Sequence, residues 1–368
     1  MVPRKFDKAF MGTLEKLIRQ RGLLPGMAIT IMGNLNMHGK DMPSEVLSHL
    51  DYRQGFEVPG DSVVLAEALK RIREGKVVIP KPLRAELGGD MRLQFNLVRA
   101  FRPRRRSSRT DVGLSLRFQP RQFNYSCPAC DEEVFATQEL YGGRLSADFL
   151  YNRYPFAPYH FLWVPERKGG HHRQYLDPNN NNNNDNNKDA QIIEEMFTLV
   201  DSLGDSVRLC YNCTGSHSSV NHLHCQGFFV TEDWKPPFER LMQQQRRSGP
   251  VVWHLRGTQW LHRGKGRRGI GNLVAQMKSR IADMNRRDEA GEKVAYNFCV
   301  STKGVAWFPR RHQRDETYFR LLEEAPFTSG FGFLEMMGEI VSATQDISIF
   351  NLEAVRGQIE RIYAALAL

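Results

Sequence analysis

The chain has 368 residues, a net charge of +10, 41% hydrophobic and 25% charged residues, which suits one large or two medium folded domains rather than a disordered chain. It contains no run of about 18 apolar residues to cross a bilayer, and Met1-Val2-Pro3-Arg4-Lys5-Phe6-Asp7 lacks the apolar stretch of a secretory signal. Its six cysteines are too few for a disulfide scaffold, so a cytoplasmic protein is expected.

Residues 1–110 read as an N-terminal region of mixed structure and unassigned role. Phe6, Phe10, Leu14, Leu17 and Ile18 recur at helical spacing with Gly22 as a stop, and a second helix is expected from Ser62 to Glu74, ending at Gly75. Arg102 to Arg109 reads as a loop or linker. From about 120 to 235 the pattern is strand, turn, strand, helix, strand. Tyr159 to Val164 is a β-rich run that stops at Pro165, and the asparagine-rich stretch 179–187 is expected to be a disordered surface insertion. Ile192, Ile193, Met196, Phe197, Val200 and Leu203 trace a helix capped by Asp189 and stopped by Gly204. Val207 to Tyr211 and Asn221 to Thr231 read as strands separated by a Gly/Ser turn. In 236–368 a basic segment precedes a hairpin, Val294 to Val300 and Val305 to Phe308 around Ser301-Thr302-Lys303-Gly304. Gly332 to Ser342 fits strand or helix, and Leu352, Val355, Ile359, Ile362 and Tyr363 mark a final helix. The whole predicts an α+β fold, with 111–235 as the catalytic part and 236–368 as a second α+β half.

The chemistry concentrates in His222-Leu223-His224-Cys225-Gln226. On a strand, alternate side chains share a face, so His222, His224 and Gln226 line one side while Leu223 and Cys225 face the other. An imidazole can attack phosphorus and later leave as a neutral group, splitting one displacement into two easier ones. A carboxamide beside it can donate a hydrogen bond to a phosphoryl oxygen without competing as a base. Gly215, Ser216, Ser218 and Ser219 lie just upstream, where backbone N–H groups and hydroxyls can hold phosphate oxygens. Such a His-x-His pair also suits metal binding or a merely polar face. His160, within an apolar strand, reads as a satisfied core histidine. Cys127 and Cys130 have the spacing of half a tetrahedral zinc site, of a redox pair, or of two buried thiols.

The segment from Arg208 through Tyr211-Asn212-Cys213-Thr214-Gly215 to Asn221-His222-Leu223-His224-Cys225-Gln226 resembles the active-site strand of the histidine-triad superfamily. The resemblance is to the branch with His-x-His-x-Gln, which includes galactose-1-phosphate uridylyltransferase, diadenosine tetraphosphate phosphorylase and the GDP-hexose phosphorylases. Asn152 to Pro165 is similar to that family's first core strand, and Tyr296-Asn297-Phe298 through Trp307-Phe308-Pro309 to a late hairpin of the GDP-hexose phosphorylases. The first 110 residues hardly enter the resemblance. It implies a mostly antiparallel sheet with packed helices, two related halves of which the first bears the motif, and a possible homodimer. It implies His224 as nucleophile, Gln226 as the group stabilising the nucleotidylated histidine, Ser219 on a phosphate and Asn152 on the nucleotide; Gly215 and Ser218 complete the expected substrate contacts. The implied substrate is a nucleoside diphosphate sugar or a dinucleoside polyphosphate, with inorganic phosphate or a sugar phosphate as acceptor, in a nucleotidyltransferase or phosphorylase.

Among the uridylyltransferases of that branch, a Cys-x-x-Cys pair, a histidine after the first core strand and the first histidine of the motif hold a structural zinc. The matching positions are Cys127, Cys130, His172 (with His171 as rival) and His222. The GDP-hexose phosphorylases lack the cysteine pair, so the chain mixes features of two branches. Two readings compete with nucleotidyl transfer. One is a nucleotide hydrolase using water. The other is a zinc-stabilised RNA-binding protein using the arginine-rich runs Arg99–Arg109 and Arg246–Arg268.

Overall fold

The computed structural model describes residues 1–20, 25–43, most of 70–101, 113–169, 173–179, 188–328, 330–343 and 350–368. In chain order they form α1 (Arg4–Arg19), α2 (Pro25–Met37), β1 (Leu83–Gly88), β2 (Met91–Phe95), β3 (Val134–Leu140), β4 (Leu145–Tyr151), β5 (Phe161–Pro165), α3 (Lys188–Leu203), β6 (Val207–Asn212) and β7 (Cys225–Phe229). These are followed by α4 (Glu239–Gln244), β8 (Gly249–Pro250), β9 (Gln259–His262), α5 (Gly266–Glu289), β10 (Val294–Ser301), β11 (Gly304–Arg311), α6 (Glu316–Glu323), α7 (Phe333–Met336), β12 (Glu339–Ser342) and α8 (Leu352–Leu366).

Antiparallel pairing builds a nine-stranded sheet in the order β3-β4-β5-β7-β6-β10-β11-β9-β8. About the β6–β10 junction β7 corresponds to β11, β5 to β9 and β4 to β8, with β3 left over. On one side the chain runs from β5 through α3 to β6 and β7; on the other it runs from β9 through α5 to β10 and β11. The fold is thus the α+β arrangement expected, and the chain on either side of residue 235 joins one continuous sheet. The two sides differ in one connection. Thr302 and Lys303 alone link β10 to β11, whereas residues 213–224 link β6 to β7 and carry the histidine motif.

Alternation along the strands explains the cores on the two faces of the sheet. Phe149, Trp163, Leu209, Tyr211, Phe298 and Trp307 point to one face and pack with apolar stripes of α1, α3 and α5. In α1 that stripe is Phe6, Phe10, Leu14 and Leu17, the predicted spacing, and each such side chain contributes about 1.5–3 kcal/mol on burial. On the other face, Cys210, Phe228, Cys299 and Phe308 meet a second core, while Leu150, Leu162 and Val164 meet a third, smaller one with Tyr125 and Cys130.

A separate three-stranded sheet, β1-β2-β12, lies in the second core, with β1 antiparallel and β12 parallel to β2. The buried Glu339 carboxylate organises it, accepting from Arg84 Nε, Arg92 Nε, Gln94 Nε2 and Trp234 Nε1 at 2.6–3.3 Å. A buried carboxylate is tolerable only with this degree of charge pairing and hydrogen bonding. The N-terminal region is therefore built into both cores.

The β10–β11 hairpin and α8 form where expected. Gly204 ends α3 in the left-handed region at φ +89°. Asp189 is not the cap of α3: it lies inside the first turn and accepts the Asp177 N–H at 2.7 Å. Gly332 to Ser342 contains both alternatives, the short α7 and then β12. Gly22, most of the 62–74 helix, Arg102–Arg109 and 180–187 fall outside the described residues; Lys70–Ile72 are helical. Among the described residues no helix is long and apolar enough to cross a membrane.

Candidate active site

The strand predicted over 221–231 is shorter, Cys225–Phe229, so His222 and His224 lie in the bend and connecting segment that lead into it. The reason is a side chain taking the place of a ladder partner. Gln174 accepts the His224 N–H at 2.8 Å through Oε1, while its Nε2 donates to His224 O at 3.0 Å and to Asn212 O at 2.8 Å. Gln174 is fully buried and is itself held by Asn221 Oδ1 and the Thr214 hydroxyl. Replacing it with leucine strands two acceptors and one donor in the interior. At about 1–3 kcal/mol for each orphaned group, partly relaxed, Gln174→Leu is expected to lower stability by about 2–4 kcal/mol. Denaturant unfolding measures this, and an unchanged midpoint would refute the clamp.

Leu162, Gln226 and Cys210 are register partners across three strands, so Gln226 projects from the sheet face opposite the helices α3 and α5. Cys225 points the other way, into the main core with Leu223, as expected, and burial pushes its thiol up. His224 Nδ1 lies 2.8 Å from His222 O. A carbonyl only accepts, so Nδ1 carries the ring proton and Nε2 presents its lone pair. His222 has the opposite tautomer, with its proton on Nε2, because its Nδ1 accepts the Tyr125 N–H at 3.2 Å. The Tyr125 ring lies 5.0 Å from that of His224 and 5.8 Å from that of His222, keeping both imidazoles in place.

Gln226 Oε1 lies 3.1 Å from Nε2 of His160, a fully buried residue immediately before β5. Asn152, the expected nucleotide contact, is in the same group. Its Oδ1 accepts the Tyr154 N–H at 2.9 Å and its Nδ2 sits 3.2 Å from His160 Nε2. The loop from Asn152 to His160 is strapped by the N-terminal region. Gln94, Asn96 and Arg99 donate to the successive carbonyls of Phe156, Pro155 and Tyr154 at 2.8–3.1 Å, and Asn34 of α2 donates to Asn152 O at 3.1 Å. Gly33 lets α2 approach: a Cβ there would lie 2.9 Å from Pro155 Cδ and 3.1 Å from Arg153 O. Sequence reading could not find these straps, because their partners are backbone carbonyls. His160 left one signal, a polar residue in an apolar strand.

Residues 213–219 reach the second half of the chain. Gly215 is at φ +85° with the His312 ring across its Cα, and its carbonyl accepts the Gln313 N–H at 2.7 Å. Burial, then the neighbouring arginines, lowers the His312 pKa to about 4, so the ring packs as a neutral group. Ser218 donates to Val220 O at 3.1 Å, and Ser219 is exposed. The structure thus sets His222 and His224 against Tyr125, sets Gln226 and Asn152 on His160, and places Gly215 at the far end of the same connection. Of the basic runs, Arg102–Arg109 lies outside the described residues, Arg99 is bonded to Tyr154 O, and Arg263 forms a two-pronged ion pair with Asp201.

Cys127 and Cys130 flank the start of a 3-10 turn, Pro128–Glu133, with their sulfurs 3.0 Å apart. The contact with Cys127, followed by burial, pushes the Cys130 thiol up. His171 and His172 lie outside the described residues, and among those described no three His, Cys, Asp or Glu side chains gather as a metal site.

No protein-family model and no curated protein sequence matches the chain. Solved structures do. Yeast Ap4A phosphorylase Apa2 in complex with Ap4A superimposes with a TM-score of 0.51 at 16% identity, covering 82% of this chain and 94% of that one. The same enzyme in complex with AMP gives 0.51 at 16% identity, over 81% and 93%. The chain has the histidine-triad-like fold of that phosphorylase.

Proposed function

We propose that the protein is a nucleotidyltransferase or phosphorylase whose His224 is transiently nucleotidylated. The observation that carries this is the Nδ1 contact of His224 with His222 O, which puts a ring proton on Nδ1 and leaves Nε2 as the nitrogen able to attack. Nε2 attacks the α-phosphorus of a dinucleoside polyphosphate or nucleoside diphosphate sugar. The P–N bond forms as the P–O bond to the leaving phosphate breaks, and that oxygen keeps the electron pair. Inorganic phosphate or a sugar phosphate then attacks the same phosphorus, and the P–N electrons return to Nε2. Gln226 donates to a non-bridging oxygen, Asn152 contacts the nucleotide, and Gly215, Ser218 and Ser219 hold phosphate oxygens. The shared fold with an enzyme solved with Ap4A and AMP favours the dinucleoside polyphosphate among these substrates.

The test is turnover of a panel of GDP-, UDP- and ADP-hexoses and diadenosine polyphosphates, with and without inorganic phosphate, read by mass spectrometry. Phosphate-dependent release of a nucleoside diphosphate is expected. Monophosphate release without added phosphate would instead mark a hydrolase, and no turnover, combined with salt-sensitive RNA binding, would replace the reading.

The proposal includes a structural zinc on Cys127, Cys130, His172 and His222. The converging cysteine sulfurs support it, and zinc on His222 Nε2 would move the ring proton to Nδ1, ending the contact that nitrogen accepts from the Tyr125 N–H. Bound there, zinc would orient His222 and the motif without taking part in the displacement. Elemental analysis is expected to find about one zinc per chain, lost in Cys127→Ser together with several degrees of thermal stability. Absence of zinc from wild-type protein purified without chelator would overturn this part.

A further inference from the structure

We infer that His160 is a positioning residue that fixes which end of the Gln226 carboxamide faces the reacting phosphate. The inference deepens the proposed function and rests on it for the role of Gln226.

A glutamine amide can turn over, and only its NH2 end can donate to a phosphoryl oxygen. His160 offers a way to choose. Its Nδ1 faces the Phe156 N–H at 3.4 Å, and a backbone N–H can only donate. The ring proton therefore sits on Nε2, which donates to Gln226 Oε1 at 3.1 Å. With Oε1 held at the sheet, the NH2 end is left for the site. The contact of Asn152 Nδ2 with the same Nε2, at 3.2 Å, would favour the other tautomer. That tautomer satisfies one neighbour instead of two: it sets Nδ1–H against the Phe156 N–H and leaves Gln226 Oε1 facing a lone pair. Burial and the positive charge of Arg99 both oppose protonation of His160, so it remains a neutral donor. The loop that fixes Phe156 N–H is itself held by Gln94, Asn96 and Arg99, which gives the N-terminal region a share in aligning the site.

The test has two parts. In long-range nitrogen–proton spectra of histidine-labelled wild-type protein, His160 is expected as the Nε2–H tautomer and His224 as the Nδ1–H tautomer, opposite outcomes in one experiment. In kinetics, His160→Phe is expected to lower kcat about 10- to 100-fold with little change in KM, as loss of an orienting outer partner does. His160→Gln, whose amide N–H reaches the same place, recovers most of that loss. In a Gln226→Ala background His160→Phe should cost nothing further, because there is no carboxamide left to orient. An equal loss in both backgrounds would mean a merely structural role and would overturn the inference. So would an Nδ1–H tautomer at His160, with the nucleotidyl-histidine reading left standing on His224. If wild type transfers nothing, that reading falls, and the His160 tautomer with the Gln226 side-chain NH2 shift in His160→Phe still decides whether the orientation exists.

Discussion

His224→Asn is expected to reduce transfer by at least about 10³-fold while leaving the fold intact, because it removes the nucleophile but not the local framework. An asparagine Nδ2 can still donate to His222 O, taking over the hydrogen bond that Nδ1 makes. The two backbone hydrogen bonds to Gln174 do not depend on the side chain. Intact-mass measurement after mixing with substrate should find a nucleotidyl adduct, stable to base and labile to acid, on wild type and none on the variant. Thermal unfolding should coincide. An adduct that persists in His224→Asn would place the nucleophile elsewhere.

Gly215→Ala is expected to destabilise the protein severely. The added Cβ would stand 1.9 Å from His312 Cδ2 and 2.0 Å from its Nε2, in a backbone conformation at φ +85°. Holding a side chain in the left-handed region costs about 1–2 kcal/mol, and overpacking adds about 1–3 kcal/mol. The expected total is about 2–5 kcal/mol, seen as a lowered denaturation midpoint. Combining it with His312→Ala removes the overlap but not the backbone cost, so the double variant should recover only part of the loss. If Gly215→Ala unfolds with wild type, the close packing of this turn on His312 is wrong.

What could be read from the sequence was local. The α1 stripe, the β10–β11 hairpin and the alternation that sends Gln226 and Cys225 to opposite faces all follow from spacing within a few residues. The motif was legible because its residue types at period two carry chemistry. Its strand boundary was misplaced because Gln174, a residue without pattern, replaces the ladder around His224. The N-terminal region stayed unread for a related reason. Arg84, Arg92 and Gln94 look like ordinary polar positions until Glu339, far along the chain, is placed among them. No periodicity encodes such a meeting. The zinc ligands remain a matter of resemblance, since only Cys127 and Cys130 are brought together by the described residues.

The parallel pairing of β2 with β12 has a consequence for the order of assembly. Residues 91–95 leave the ribosome long before their partner strand, residues 339–342. Closing so long a loop is entropically slow and waits for β12 to be made. The nine-stranded sheet can gather all of its strands beforehand, because β3 to β11 follow one another between those points. The straps from Gln94, Asn96 and Arg99 onto the loop before His160 are therefore set in place last. A nascent chain would carry the histidine motif on an assembled sheet before it could hold that motif in working alignment, so competence arrives with β12 rather than with the motif itself.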